Sequence, residues 1–222
     1  MKKILLSLSI AVISLTGFSQ DEVVNIPDSN FLKALIEKGV DLNEDGKIQV
    51  SEAETIEKLD VRTKSITDLT GIKSFINLKE LDCQNNSVVN LDVSGLINLE
   101  LIRCRWNGLK KLDVSGLINL EGLYCLFNDI TYLDLSGLKK LKTLNCLENN
   151  LTSLDISDSK NIEILSCFGN NISSLDVSGL SSLTELYCYS NSLPILDVSG
   201  LSNLTRLYCE NNNLTTICVA TT

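Results

Sequence analysis

One phrase of 21 residues governs this chain. It is first complete from Leu78 to Asn98, LKELDCQNNSVVNLDVSGLIN, and Leu99 begins it again. Counting by 21 from Cys83 lands on Cys104, Cys125, Cys146, Cys167, Cys188 and Cys209 without one insertion. A fixed period in the twenties is a solenoid signature, because so short a unit cannot enclose a core of its own. In the extended x-L-x-C-x part of each unit, side chains alternate between two faces. Leu81 and Cys83 therefore share one face, and the variable residues around them share the other. Leu78, Leu81, Cys83, Val88, Leu91, Val93 and Leu96 are buried only when the next unit stacks on them, at roughly 4.8 Å per parallel strand.

Three polar or weakly polar columns accompany that core. Asn86 recurs as Asn107, Asn128, Asn149, Asn170, Asn191 and Asn212. A buried turn strands backbone N–H and C=O groups, and an amide side chain supplies both a donor and an acceptor for them. The expectation is an asparagine ladder tying adjacent turns. Asp92, Asp113, Asp134, Asp155, Asp176 and Asp197 stand in D-x-S-G-like turns, where each can accept a backbone N–H; a second calcium strip is the alternative. The cysteine column reads as stacked, reduced thiols serving as small hydrophobes. Disulfides and a metal site are the competing readings. Parallel in-register Cβ vectors do not point at one another, seven is odd, and the chain has no histidine to complete a zinc set.

A different kind of sequence precedes the repeats. Ser29-Asn30 can cap a short helix with Phe31, Leu32, Leu35 and Ile36 on one side. Then comes DLNEDGKIQVSE, Asp41 to Glu52, which fits D-x-[DN]-x-[DN]-G-x5-E at every position. Asp41, Asn43 and Asp45 offer side-chain oxygens, Lys47 its carbonyl, Gln49 a water-mediated contact, and Glu52 a bidentate carboxylate. Gly46 allows the sharp turn, and Ile48 is an inward apolar anchor. SEAETIEKL reads as the exiting helix. The stretch resembles an EF-hand or dockerin-type calcium loop. That resemblance implies Ca²⁺ as the cofactor, and a lone loop implies weak, structural binding, roughly 10⁻⁴–10⁻³ M.

The boundaries follow. Residues 1–20 read as a secretory signal: Lys2 and Lys3, an apolar run from Ile4 to Leu15, and a small-residue site at Gly17-Phe18-Ser19. The run is too short for a confident membrane span, so no membrane insertion of the mature chain is expected. Residues 21–55 form a helical cap. Residues 56–222 form the solenoid. Its first coil, Ile56 to Asn77, is one residue longer than the rest and has Val61 in the cysteine column. In the unit 141–161, Asp158 and Ser159 replace Gly and Leu, a local irregularity. The last unit, from Leu204, is incomplete. It implies a continuation or a partner at that end, with Cys218 as an exposed thiol.

The stretches LDCQNNSVVNLDVSGLINL, 81–99, and LYCLFNDITYLDLSGL, 123–138, resemble the cysteine-bearing leucine-rich repeats of internalin-type bacterial surface proteins. The resemblance covers Ile56 to the C-terminus. It implies an α/β solenoid with short parallel strands, a right-handed coil and a small EF-hand-like helical cap. It also implies display outside the cell, at the surface or released, for binding an extracellular ligand.

The variable positions beside each cysteine would face the concave side. Of the chain's 11 aromatic residues, seven fall there: Trp106, Tyr124, Phe127, Phe168, Tyr187, Tyr189 and Tyr208. Arg103 and Arg105 flank Trp106, and Leu126 and Leu147 lie between. Clustered exposed aromatics mark a binding face, although they could instead only pad the strand ladder. The ligand expected is an extracellular protein bound by adhesion, or else a glycan stacked on the rings. Catalysis is not expected: there is no histidine, no nucleophile elbow, and no carboxylate pair outside the columns named. Net charge is −9, and −11 without Lys2 and Lys3 (17 basic against 28 acidic side chains). Such acidity argues against nucleic acid.

Overall fold

The computed structural model describes residues 21–219; the expected signal sequence lies outside them. Two helices come first, α1 (Ser29–Glu37) and α2 (Val50–Ala53). Twelve short strands follow. They are β1 (Lys58–Asp60), β2 (Glu80–Asp82), β3 (Leu101–Arg103), β4 (Leu112–Asp113), β5 (Gly122–Tyr124) and β6 (Leu133–Asp134). The rest are β7 (Thr143–Asn145), β8 (Ile164–Ser166), β9 (Glu185–Tyr187), β10 (Ile195–Asp197), β11 (Arg206–Tyr208) and β12 (Thr216–Cys218). The main sheet has eight parallel strands in the order β1-β2-β3-β5-β7-β8-β9-β11. Leu81 lies beside Ile102, Ile102 beside Leu123, and Leu123 beside Leu144. One strand per coil, always in register, is what a constant period imposes. Two small parallel pairs, β4-β6 and β10-β12, sit on the return segments.

Packing follows from that register. Leu78, Leu81, Cys83, Leu99, Ile102 and Cys104 are fully buried, as are their counterparts in the later coils through Cys188. The same hydrophobic cluster takes in Phe31, Ala34 and Leu35 of α1 and also Ile48. The helices and the coils therefore share one core.

The asparagine ladder is present in all seven coils. Asn149 shows the pattern. Its Nδ2 donates to the carbonyls of Cys125 at 3.1 Å and Cys146 at 3.0 Å, and its Oδ1 accepts the Ile130 N–H at 3.0 Å. One side chain thus satisfies backbone groups of two coils that no strand reaches. The aspartate column works locally: Asp92 and its five counterparts each accept the N–H of the serine two residues on.

Several expectations need correction. The strands are shorter than expected; each ends just before its cysteine, although Cys83 N–H still donates to Arg103 O at 2.9 Å. The N-cap of α1 is Asp28, not Ser29 or Asn30. Its Oδ1 accepts from Asn30 and Phe31, while Oδ2 takes the Thr67 and Asp68 N–H groups and the Thr67 hydroxyl. Ile36 is exposed, and Ala34 is buried instead. The expected exiting helix stops at Ala53, because Lys58 already belongs to the first strand. The break at Asp158-Ser159 leaves the turn in place. Ser159 is buried, with its hydroxyl on Leu138 O at 3.2 Å, and Asp158 accepts Gly137 N–H at 2.9 Å. Cys218 is partly exposed, but so is Cys209.

Candidate functional site

The outer face of the main sheet carries the variable side chains, and the period arranges them in columns. Rings 21 residues apart meet face to face. Trp106 stacks on Phe127 with centroids 4.2 Å apart, and Phe168 on Tyr189 at 4.1 Å. Tyr187 stacks on Tyr208 at 5.2 Å with ring planes 6° apart. The Arg103 guanidinium lies over the Tyr124 ring, 5.7 Å from its centroid. All nine residues expected on this face lie on it, and eight of them engage one another in pairs. Arg105 is exposed. Leu126 and Leu147 are buried beneath, so they belong to the floor. The rings do pad the ladder, yet they stay accessible: Trp106 is 52% exposed and Tyr208 46%.

Backbone geometry makes the first stack informative. Asn85, Trp106, Phe127, Glu148, Ser190 and Asn211 all have φ between 50° and 55°, the left-handed region. Asn and Gly suit it; a bulky side chain there is strained by roughly 1–2 kcal/mol. Trp106 and Phe127 are therefore poor choices for the turn itself.

The residues expected in the N-terminal loop are drawn together, but around backbone donors. Asp41 accepts the Asp45 and Gly46 N–H groups, at 3.2 and 2.9 Å. Asp45 accepts the Lys47 N–H and the Gln49 amide, and Asn43 Oδ1 accepts Asp45 N–H. Glu52 is buried. Its Oε1 takes Leu42 N–H at 2.7 Å and its Oε2 takes Gln49 N–H at 2.9 Å, so it closes the loop on itself. Among the described residues no three His, Cys, Asp or Glu side chains form a ready metal cage. The donor set is nonetheless all oxygen, which suits a hard cation. Glu52 Oε1 also takes the Asn43 N–H at 3.3 Å and is filled, whereas Asp45 Oδ1 and Oδ2, Asn43 Oδ1 and Glu52 Oε2 each accept one bond and keep a further lone pair.

Sequence reasoning missed Arg62, Asp82, Gln84 and Asn145, which share a basin with Arg103, Arg105 and Tyr124. Arg62 was findable: it follows Val61, the residue in the cysteine column of the first coil.

Comparison with solved structures settles the architecture. The functional domain of InlJ from Listeria monocytogenes, described as including a cysteine ladder, is 32% identical with a TM-score of 0.71 over 88% of this chain. The fold is a leucine-rich repeat solenoid. Internalin C2 of the same organism is 23% identical, with a TM-score of 0.72 over 89% of this chain and 91% of its own. A leucine-rich repeat protein of Leptospira interrogans is 23% identical, with a TM-score of 0.65 over 78% of this chain and 51% of its own. This leucine-rich repeat chain spans 49% of the InlJ structure. No protein-family model matches it, and no curated relative matches its sequence. Among the described residues no helix is long and apolar enough to cross a membrane.

Proposed function

We propose that this chain is an exported, non-enzymatic module that captures an extracellular protein on the outer face of its main sheet. The observation that carries the reading is the Trp106–Phe127 stack. It places two large rings on the surface at backbone positions that disfavour them. Aromatic and arginine side chains on a rigid surface are the usual anchors of protein interfaces. In the same reading Asp41, Asn43, Asp45 and Glu52, with the Lys47 carbonyl and Gln49, hold a structural Ca²⁺. Support for this comes from the oxygen-only donor set and from the left-handed Gly46 (φ 80°) that turns the loop. A glycan ligand is the second reading, favoured by the parallel, stacked Tyr187 and Tyr208 rings, of which Tyr208 is exposed for a sugar to pack on. The test is capture of surface proteins by immobilised parent and by Trp106→Ala/Tyr187→Ala. The double variant should keep the fold and lose most of the capture. Undiminished capture would move the site off this face.

A further inference from the structure

The chain has four arginines, and three of them, Arg62, Arg103 and Arg105, line one basin on the outer face of the sheet. In a protein of net charge −9 that concentration is a departure from the rest of the surface. The basin encloses about 590 Å³, within the roughly 300–1,000 Å³ of ordinary ligand sites. Many surface lysines are spent on neighbouring carboxylates, as in Lys58–Glu80 at 2.6 Å and Lys142–Glu121 at 2.8 Å. Among the described residues Arg103 and Arg105 make no ion pair, whereas Arg62 leans on Asp60 at 3.0 Å and on Asp82, inside the basin, at 3.9 Å. Arg103 is held in place by Tyr124, over whose ring it lies. Gly122 leaves room beside that ring: a Cβ there would come within 2.7 Å of Leu101 Cδ1 and 3.3 Å of the ring. Beside them Asn145 Oδ1 is buried with no hydrogen-bond partner. Two unpaired, planar guanidiniums fit carboxylates, and an unpaired acceptor fits an N–H or O–H donor.

We propose that this basin receives an acidic peptide segment of the protein partner, with carboxylates on Arg103 and Arg105 and a donor on Asn145. The proposal rests on the protein-binding reading above. A peptide is favoured over a polyanionic sugar chain by Asp82 inside the basin and by Glu100 in the neighbouring groove, where Glu80 and Glu121 also stand but are paired with Lys58 and Lys142. A uniformly anionic polymer crossing the basin would run into those carboxylates. A peptide changes charge residue by residue, so it can place acids on the arginines and neutral or basic groups beside the glutamates.

The test presents the full chain with a displayed library of random 12-residue peptides and with uronic-acid and sulfated oligosaccharides. The parent should enrich peptides rich in Asp and Glu. A synthetic peptide of the enriched sequence should bind at least tenfold more weakly to Arg103→Gln/Arg105→Gln, and more weakly as salt rises. Lys110→Gln/Lys111→Gln, an equal charge change on the return segment, should bind like the parent. Enrichment without acidic bias overturns the basin's chemistry while leaving the binding face standing. Oligosaccharide binding that needs the two arginines, with no acidic peptide retained, overturns the peptide assignment. Loss of all peptide binding together with undiminished capture by Trp106→Ala/Tyr187→Ala overturns both readings.

Discussion

At the scale of single residues, the sharpest question is whether a side chain serves the fold or a ligand. Trp106 lets the two be separated. Its backbone is left-handed, with φ 54°, and the same column holds Asn at positions 85 and 211. Replacing Trp106 by Asn relieves roughly 1–2 kcal/mol of backbone strain and forfeits a stacking interaction of about 0.5–1.5 kcal/mol. The two nearly cancel. Trp106→Asn should therefore change unfolding free energy by less than about 1 kcal/mol in urea titration, while ligand capture falls. A loss above about 2 kcal/mol would mean that the ring is part of the scaffold. Asn149 is the opposite case. Its amide serves two carbonyls and one N–H inside the protein, and nothing outside the fold is needed to explain it.

At the scale of elements, the junction between α1 and the first coil is carried by Asp28. Partial burial alone would raise its carboxyl pKa. The N–H groups of Thr67, Phe31 and Asp68 and the Thr67 hydroxyl outweigh burial and lower it from 3.8 to about 2. A folded value below the unfolded one means that the contribution to stability is full above about pH 4 and is lost as pH falls towards 2. Asp28→Asn keeps a good N-cap but removes the charge. The stability gap between parent and variant, about 1 kcal/mol at pH 6 once solvent screening is allowed for, should be mostly lost by pH 2. A gap that stays constant across that range would mean the charge is irrelevant. The loop after α1 has its own test. With 10 mM Ca²⁺ and a dissociation constant of roughly 10⁻⁴–10⁻³ M, linkage supplies about 1.4–2.7 kcal/mol, a rise of several degrees in Tm. Asp45→Ala should abolish that rise. Glu52 is a poorer probe, because its oxygens already hold the Leu42 and Gln49 N–H groups and its loss should destabilise the metal-free protein as well. Identical melting of the parent with and without calcium would remove the ion from the proposal.

At the scale of the whole molecule, what the sequence made legible was whatever repeats. The core leucines, the asparagine amides and the aspartate turns each satisfy one local requirement seven or so times, so the period exposes them. The features that escaped are set by contacts made once. Asp28 is fixed by Thr67, 39 residues away. The shortness of α2 is dictated by where β1 must begin. Arg62 lies in the first coil, which lacks the cysteine from which the outer-face positions are counted. The β4-β6 and β10-β12 pairs are only two or three residues long, and no periodic signal distinguishes them from the loops around them.

The cysteine column is the property that only the assembled stack possesses, and it yields the most direct test of the stack. Six thiols, Cys83 to Cys188 in steps of 21, are buried; Cys209 and Cys218 are partly exposed. Burial disfavours the thiolate, and for Cys83 and Cys125 it pushes the pKa from 9.0 up to about 12. Thiolate is the reactive form, so at pH 8 only about one in 10,000 such groups is ionised, and no reagent reaches it without opening of the coils. In the native protein Cys209 and Cys218 should react first with a water-soluble thiol reagent. The other six should react only as fast as the solenoid opens, and then together, since each coil is held by its neighbours. Denaturant without reductant should expose all eight. A shortfall after denaturation would reveal disulfides, and eight fast thiols in the native state would contradict a dry cysteine ladder, and with it the parallel register that sets every side chain on the outer face.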